Sequence, residues 1–154
     1  MSIRRYHPDD AETLWALVFN TVHHINSRDY SDEQIKAWAP AEYDMNEWKE
    51  ELCDKQPLVL CLEGKICGYA DLQNNGHINH FFVAHDRQRE GKGSYLIKRL
   101  LSKAQDMGLK EITVEASITA RPFFEHHGFS VVREEKDAYL RGQKFTIFFM
   151  KKKL

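Results

Sequence analysis

The chain has 154 residues and a nearly even charge balance, with 22 Lys and Arg against 23 Asp and Glu and a net charge of −1. This length suits one domain, which buries about 70% of the surface that its unfolded chain exposes, so we expect a single domain over residues 1–154. The charge balance argues against binding to nucleic acid or anionic membranes, and no segment approaches the roughly 18 apolar residues of a membrane span. We therefore expect a cytoplasmic protein without nucleic-acid or membrane partners. The cysteines form no CxxC pair, so no metal site is predicted.

The first half of the chain predicts one strand followed by three helices. Ile3–Tyr6 has the composition of a short strand, and apolar residues then recur at three- and four-residue steps from Ala11 to Ile25, as on one helix face. Each predicted helix is preceded by side chains whose oxygens can accept hydrogen bonds from its first free N–H groups. These candidate caps are Asp9 or Asp10, the capping box Ser31–Gln34, and Asp44.

The second half predicts strands around one long helix. Two antiparallel strands meet at a turn formed by Gly64-Lys65, and a third strand runs from His77 to Ala84. The long helix follows, with Leu96, Ile97 and Leu100 on its apolar face. The remaining predicted elements are the strand Glu111–Ala116, the short helix Thr119–His127, and the strands Phe129–Glu135 and Lys144–Lys151.

The segment Gln88-Arg89-Glu90-Gly91-Lys92-Gly93 joins the third of these strands to the long helix. A helix N-terminus offers free N–H groups and a partial positive charge, and glycines let an anion approach the backbone closely. The spacing excludes a P-loop because Asp86 stands five residues before Gly91, and it excludes a dinucleotide fingerprint because Leu96 occupies the third glycine position. The segment therefore predicts an anion-binding helix start, although glycine pairs also occur at plain turns.

Two segments together resemble the GCN5-related N-acetyltransferase (GNAT) family. Residues 88–93 are similar to its Gln/Arg-x-x-Gly-x-Gly/Ala loop, and residues 117–129 are similar to its Asn-x-x-Ala-x-x-Phe-Tyr-x-x-x-Gly-Phe segment. The matches occur in the family's order, and the resemblance extends over residues 3–150. It implies an α/β (α+β) fold with a mixed, mostly antiparallel central sheet that is split near its middle and flanked by helices on both faces.

The resemblance implies an acetyl-CoA-dependent N-acetyltransferase in which a primary amine attacks the thioester directly. The alternative is a coenzyme A-binding module with little or no transferase activity. In the family, this loop binds the pyrophosphate, and a backbone N–H at the end of the preceding strand faces the thioester carbonyl. The implied cofactor contacts are Phe82, Val83, Gln88, Arg89, Glu90, Gly91, Lys92, Gly93, Ser94, Ser117 and Phe124.

Two of these positions depart from the family pattern. Ser117 stands where the family usually has an asparagine that binds the pantetheine arm, and serine is shorter. Phe124 stands where the family usually has a tyrosine that protonates the departing sulfur. Since a thiolate is a tolerable leaving group near neutral pH, the loss of this acid need not abolish turnover. Tyr139 and Tyr95 are alternative donors.

The strand before the loop carries the candidate catalytic residues. Asn79 stands where relatives often have a glutamate, and it can hold a water molecule but cannot take its proton. His80 is adjacent, and an imidazole suits proton removal from an amine. Strand alternation puts Asn79 and His80 on opposite faces unless a bulge intervenes. A purely structural histidine is the alternative.

The resemblance implies an acceptor pocket at the first two helices and the loop between them. His24, Tyr30 and Trp38 stand near the break between these helices, and an aromatic wall would suit a flat or cationic amine. Packing between the helices is the alternative, and Trp15 is interpreted as a core residue. The acceptor is left open between a small-molecule and a peptide amine. A homodimer, which is common in the family, is also left open.

Overall fold

The computed structural model describes the whole chain, Met1–Leu154, as a divided sheet with helices on both faces. The helices are α1 (Ala11–His24), α2 (Asp32–Trp38), α3 (Met45–Lys55), α4 (Lys92–Asp106) and α5 (Arg121–His126). The strands are β1 (Ser2–Arg5), β2 (Leu58–Leu62), β3 (Lys65–Ala70), β4 (His77–Ile78), β5 (Phe81–Val83), β6 (Glu111–Ser117), β7 (Ser130–Leu140) and β8 (Gln143–Lys153). No helix combines the length and apolar character that crossing a membrane requires.

The sheet consists of two four-stranded halves. The first has the order β1-β2-β3-β5 and is antiparallel, and the second has the order β4-β6-β8-β7, in which only β4 and β6 are parallel. Only Asn79 and His80 separate β4 from β5, so the chain crosses between the halves at these residues. The predicted continuous strand from His77 to Ala84 is therefore two strands. The predicted fold class, with a mixed and mostly antiparallel split sheet, is confirmed.

Two hydrophobic clusters lie on opposite faces of the sheet. Alternating residues of a strand point to opposite faces, so Val59 packs with α1, α2 and α3 whereas Leu60 packs with α4 and α5. Leu14 and Leu100, one from each cluster, are fully buried. Burial of one such side chain stabilises the fold by about 1.5–3 kcal/mol, so the two clusters hold the helices against both faces of the sheet.

Two of the predicted helix starts are confirmed and one is wrong. Ser31 and Gln34 form the capping box of α2, and the Asp44 carboxylate accepts hydrogen bonds at the start of α3. At α1, Asp10 occupies the N-cap position but its side chain makes no capping bond. The Asp10 carboxylate instead accepts hydrogen bonds from the Arg4 guanidinium and from the backbone N–H of His7, which fasten β1 to a 3-10 turn.

Two turns also differ from the prediction. Leu62 pairs with Lys65, so the hairpin turn is Glu63-Gly64 rather than Gly64-Lys65. Both turn residues have positive φ, at 53° and 79°, which matches the twist of two-residue hairpins. The last two strands extend to a turn at Arg141-Gly142, because the polar residues between them pair across the hairpin instead of forming a loop.

Candidate active site

A cleft of about 1060 Å³ opens where the two halves of the sheet separate. Residues of β5 line one side and residues 115–117 of β6 line the other. The two strands share no pairing, because β6 pairs with β4 and β5 pairs with β3. Both strands therefore turn an unpaired edge toward the cleft, where a ligand can bind to backbone groups.

The N–H of Val83 points into this cleft. The backbone bonds from Ala84 N–H to the Cys67 carbonyl and from Asp71 N–H to the His80 carbonyl belong to the ladder between β3 and β5. Since hydrogen-bonded positions alternate along an antiparallel strand, Phe82 also bonds to β3, whereas Val83 faces away from it. Of the two predicted thioester contacts, the backbone of Val83 is the one directed at the cleft.

The carbonyl oxygen of Val83 is already occupied. It accepts a hydrogen bond from Gln88 Nε2 at 2.8 Å and another from Thr21 Oγ1 at 3.3 Å. These bonds tie the end of β5 both to the glycine loop and to α1. The free group that Val83 offers to a ligand is therefore a donor.

The crossing at Asn79 and His80 is organised by the buried carboxylate of Asp71, which is 1% exposed. Asp71 Oδ1 accepts hydrogen bonds from the backbone N–H groups of both Asn79 and His80, and Oδ2 accepts from the side-chain amides of Asn79 and Gln73. Two successive N–H groups cannot point the same way in a regular strand, so these bonds impose the irregularity. As a result, Asn79 and His80 both line the cleft.

The imidazole of His80 is held at both nitrogens. Nδ1 lies 3.1 Å from the hydroxyl oxygen of Tyr69, and Nε2 lies 3.1 Å from Oε1 of Glu51. The edge of Trp48 packs against the ring, with centroids 5.9 Å apart. Burial, together with the negative charges of Asp71 and Glu51, raises the pKa of the Tyr69 phenol well above its usual range, so Tyr69 is a neutral hydroxyl. Sequence reasoning missed both partners of His80.

The predicted anion-binding loop leads directly into α4. Gly91 is the N-cap residue of the helix and has a φ of 81°, which glycine adopts without strain. Gly93 faces the ring of Phe123, where an added β-carbon would come within 2.8 Å of Cε1. The loop residues that line the cleft are Gln88, Arg89, Gly91, Gly93 and Ser94.

The other two predicted loop contacts, Glu90 and Lys92, do not line the cleft. Lys92 is buried, with 5% exposure, and its Nζ lies 2.5 Å from Glu90 Oε1. This ion pair with Lys92 lowers the pKa of the Glu90 carboxyl group. The positive charge of Lys92 is thus already matched within the loop, and Arg89 is the loop cation that faces the cleft.

Ser94 contacts a histidine that sequence reasoning did not single out. Ser94 Oγ lies 3.1 Å from Nε2 of His127 at the end of α5. Burial lowers the pKa of His127, and the neighbouring basic side chains of His126, Lys98 and Lys152 lower it further, so the neutral ring is favoured. The contact joins the start of α4 to α5 beside the loop.

Ser117 and Phe124 both line the cleft, at the positions where the family usually has an asparagine and a tyrosine. Ser117 Oγ accepts a hydrogen bond from Ala120 N–H, and Asn26 Nδ2 approaches the same oxygen at 3.5 Å. Asn26 is buried and also lines the cleft, so a carboxamide is present beside position 117 although it comes from another part of the chain. Phe124 is 2% exposed and packs against Phe81.

Of the predicted acceptor residues, Tyr30 and Trp38 line the cleft, with rings in edge contact and centroids 5.6 Å apart. The Tyr30 hydroxyl donates to the Thr146 carbonyl and accepts from Ile118 N–H, which fixes its position. His24 is exposed and does not line the cleft; it stacks on His85 instead. Tyr139 lines the cleft with 72% exposure, whereas Tyr95 does not line it.

The aromatic wall is larger than predicted. Trp15, which was interpreted as core, is only partly buried and stacks on Tyr43 with ring centroids 4.5 Å apart. The guanidinium of Arg141 lies 5.2 Å from the centre of the Tyr43 ring and donates to the Ala37 carbonyl. All three side chains line the cleft. This part of the wall was missed because α1, the segment before α3 and the last hairpin meet only in the folded chain.

A family model of the acetyltransferase (GNAT) domain matches residues 26–154. The chain belongs to the GNAT acetyltransferase family. This GNAT protein is 36% identical over 153 residues to an uncharacterized N-acetyltransferase of Escherichia coli (strain K12), YafP, with 99% of this chain and 96% of that protein covered. The predicted resemblance is confirmed, and the chain is an acetyl-CoA-dependent N-acetyltransferase and thus an acyltransferase.

Solved structures of N-acetyltransferases have the same fold. A GCN5-related N-acetyltransferase from Rhodopseudomonas palustris has a TM-score of 0.94 at 29% identity, with 99% of this chain and 95% of that chain covered. The PaiA N-acetyltransferase from Thermoplasma acidophilum, solved in complex with coenzyme A, has a TM-score of 0.79 at 18% identity, with 99% and 98% covered. The second likeness concerns the fold of the GNAT protein alone.

Proposed function

We propose that this GNAT protein binds acetyl-CoA between β5 and β6 and transfers the acetyl group to a primary amine that enters from the aromatic wall. One observation carries the proposal. A single cleft is lined by the start of α4, by Val83, and by His80 with the aromatic wall. Along the chain, the glycine loop at the start of α4 comes after β5, which ends at Val83 and begins directly after His80. This is the order in which the cofactor's phosphates, its thioester and the acceptor amine have to be arranged.

The start of α4 suits the pyrophosphate. Its free N–H groups and helix dipole favour a negative charge, and Gly91 and Gly93 leave the backbone open to it. Arg89 adds a cation from the cleft side, while Lys92 is paired with Glu90 and supports the loop from within. The pantetheine arm then follows the edge of β5, near Ser117 and Asn26. A protein of the same fold from Thermoplasma acidophilum was solved in complex with coenzyme A, which supports a coenzyme A site in this fold.

Acyl transfer requires a donor for the oxyanion that forms on the thioester carbonyl. The cleft-facing N–H of Val83 supplies it, and the bonds from Gln88 and Thr21 to the Val83 carbonyl hold that peptide in place. Phe124 has no proton to give to the sulfur. The reaction therefore proceeds with a thiolate leaving group, which is acceptable near neutral pH.

The amine must also lose a proton, and His80 lies on the path of that proton. Its ring is at the crossing between β4 and β5, adjacent to the strand that presents Val83. The side-chain amide of Asn79 cannot act as a base, and it donates a hydrogen bond to Asp71. The role of Asn79 is therefore to shape the crossing.

Tyr30 and Trp38 form part of the acceptor site, and the faces of the aromatic wall suit a flat or cationic amine. His24 lies outside this wall and would contact only a long acceptor such as a peptide. The choice between a small molecule and a peptide, the cytoplasmic location and a homodimer stay predictions from the sequence.

The test is thiol release from acetyl-CoA with a panel of primary amines, in which mass spectrometry identifies the acetylated product. We expect at least one amine to be acetylated, and His80→Ala to reduce the rate about 100-fold or more while acetyl-CoA still binds. An unchanged rate in His80→Ala would remove this histidine from the reaction. Binding of acetyl-CoA without acetylation of any amine would support the alternative of a coenzyme A-binding module.

A further inference from the structure

Both nitrogens of the His80 ring are hydrogen-bonded to groups that lie in different places. Tyr69 lies on β3 and is a buried residue at the floor of the cleft. Glu51 lies on α3, does not line the cleft, and has a side chain that is 42% exposed. The imidazole of His80 therefore connects a hydroxyl inside the cleft with a carboxylate at the protein surface.

The partners determine which nitrogen of His80 carries the proton. An ionised carboxylate can only accept hydrogen bonds, so Nε2 is the protonated nitrogen and donates to Glu51. Nδ1 then has a free lone pair, which accepts the hydrogen bond of the Tyr69 hydroxyl. The reverse assignment would place two lone pairs against each other at Glu51, and it would leave the buried hydroxyl hydrogen of Tyr69 without this acceptor.

We infer that Tyr69, His80 and Glu51 form a proton exit path that carries the proton of the acceptor ammonium from the floor of the cleft to the surface. This inference rests on the proposed function, since it concerns the same reaction. Tyr69 is the catalytic residue of the path: it lines the cleft although it is 0% exposed, so the acceptor nitrogen has to reach its hydroxyl at the bottom of the cleft. Glu51 is a positioning residue that acts through His80.

The acceptor ammonium gives one proton to Tyr69 Oη while the hydroxyl proton of Tyr69 moves to Nδ1 of His80. His80 becomes an imidazolium that the charge of Glu51 stabilises, and the proton on Nε2 leaves through Glu51 to water. The neutral amine then forms its N–C bond as the C–S bond breaks and the electron pair leaves with sulfur. The second nitrogen proton neutralises the coenzyme A thiolate.

The surroundings of the ring favour this path. The Tyr69 ring stacks on Phe82 with centroids 5.9 Å apart, and Trp48 packs edge-on against both Tyr69 and His80. The phenol is neutral because burial raises its pKa, so it passes a proton on without holding a negative charge. The arrangement has the hydroxyl, imidazole and carboxylate order that activates a hydroxyl in other acyl-transfer sites.

The first test is nitrogen NMR of the His80 ring, which needs no acceptor. We expect the neutral ring to be protonated at Nε2 and unprotonated at Nδ1 in the native protein. A ring protonated at Nδ1 would overturn the path whatever the enzyme acetylates.

The second test compares two amines as probes. 2-Phenylethylamine is an ammonium ion near neutral pH, whereas hydroxylamine is already neutral there and needs no proton removal before attack. We expect Tyr69→Phe to reduce acetylation of 2-phenylethylamine about 100-fold or more and that of hydroxylamine less than about threefold. A general structural defect would reduce both equally, and that result would overturn the path.

Glu51→Gln gives an independent variant on an accessible helix. Glutamine still accepts the Nε2–H bond but carries no charge, so kcat with 2-phenylethylamine should fall about tenfold while the KM for acetyl-CoA stays the same. Tyr6→Phe, a buried tyrosine outside the cleft, and Glu50→Gln, an exposed neighbour, are the matched controls and should retain full activity.

Full activity of both Tyr69→Phe and Glu51→Gln would overturn the inference. If the native protein acetylated neither probe, the proposed function would fail for these amines, and the ring NMR would still decide the proton arrangement.

Discussion

Gly93 of α4 lies against the ring of Phe123 of α5, so closely that a β-carbon at position 93 would be 2.8 Å from Cε1 and 3.3 Å from Cζ of that ring. The contact lies beside the cleft, which both residues line. It joins α4, whose start is the proposed pyrophosphate site, to α5. Glycine is required at position 93 because the ring of Phe123 leaves no room for a β-carbon, and its backbone angles alone would not require it.

This contact predicts the effect of Gly93→Ala. The methyl group should displace Phe123 and disturb the loop, and we expect the Kd for acetyl-CoA to rise about tenfold, which corresponds to about 1.4 kcal/mol. Calorimetric titration measures the change. In the double variant Gly93→Ala with Phe123→Leu, the smaller side chain makes room, so part of the affinity should return. An additive loss in the double variant would contradict this explanation.

Asp71 is predicted to be essential for the crossing between β4 and β5. In Asp71→Asn, a side-chain NH2 group would face donors that the carboxylate now satisfies, at least one of which would be left unpaired. We expect the free energy of unfolding to fall by about 3 kcal/mol, because the site is buried. Urea unfolding measures it, with the exposed Asp86→Asn as control. A loss below about 0.5 kcal/mol, which is the range of neutral surface substitutions, would show that the crossing does not depend on this carboxylate.

Asp10 should contribute stability that depends on pH. Hydrogen bonds from Arg4 lower the pKa of Asp10 against the opposing effect of burial, and the N–H of His7 lowers it further. Its carboxylate therefore stabilises the fold above the pKa of the unfolded chain, and this stability is lost as the pH falls through the lower pKa of the folded state.

The corresponding variant is Asp10→Asn. At pH 7 it should lose about 1.5–3 kcal/mol, the usual range for hydrogen bonds to a charged group. The difference from the native protein should shrink below about pH 4, where the unfolded carboxyl group becomes protonated. Urea unfolding across pH measures this, with Asp9→Asn as the exposed control. A difference that stays constant with pH would contradict the charge-based explanation.

Trp38 should affect the acceptor and not the cofactor. Trp38→Ala removes part of the aromatic wall, so we expect the KM of an accepted amine to rise about tenfold, an effect of roughly the size of one cation–π contact. The Kd for acetyl-CoA should not change. Phe149→Ala, which removes an aromatic ring outside the cleft, is the control. A matching rise in the acetyl-CoA Kd would contradict the assignment of this wall to the acceptor.

Local features of the fold were predictable from the sequence. A capping box such as Ser31–Gln34 and a helix start such as Gly91 depend on residues that are close in the chain, and both were predicted correctly. The predicted strand around Asn79 and His80 was wrong as one continuous element, because its interruption depends on Asp71 from another strand. Composition alone does not reveal that a distant carboxylate will bind two successive N–H groups.

The candidate site was predictable only where a motif or a strand position defines it. His80 was identified, but its partners Tyr69 and Glu51 lie 11 and 29 residues away in no recognisable spacing. Lys92 was expected to face an anion, whereas the fold buries it against Glu90, and the direction of a long side chain cannot be inferred from a loop sequence. The part of the aromatic wall that consists of Trp15, Tyr43 and Arg141 likewise depends on packing between distant elements.

Calorimetric titration of the protein with acetyl-CoA tests the cofactor site most directly, since it requires no knowledge of the amine. We predict micromolar binding that is lost in Gly93→Asp, where a carboxylate would oppose the pyrophosphate and contact Phe123. Ser102→Asp places the same charge at an exposed position further along α4 and should bind normally. Absence of binding by the native protein, or equal binding by Gly93→Asp, would contradict a coenzyme A site at the start of α4.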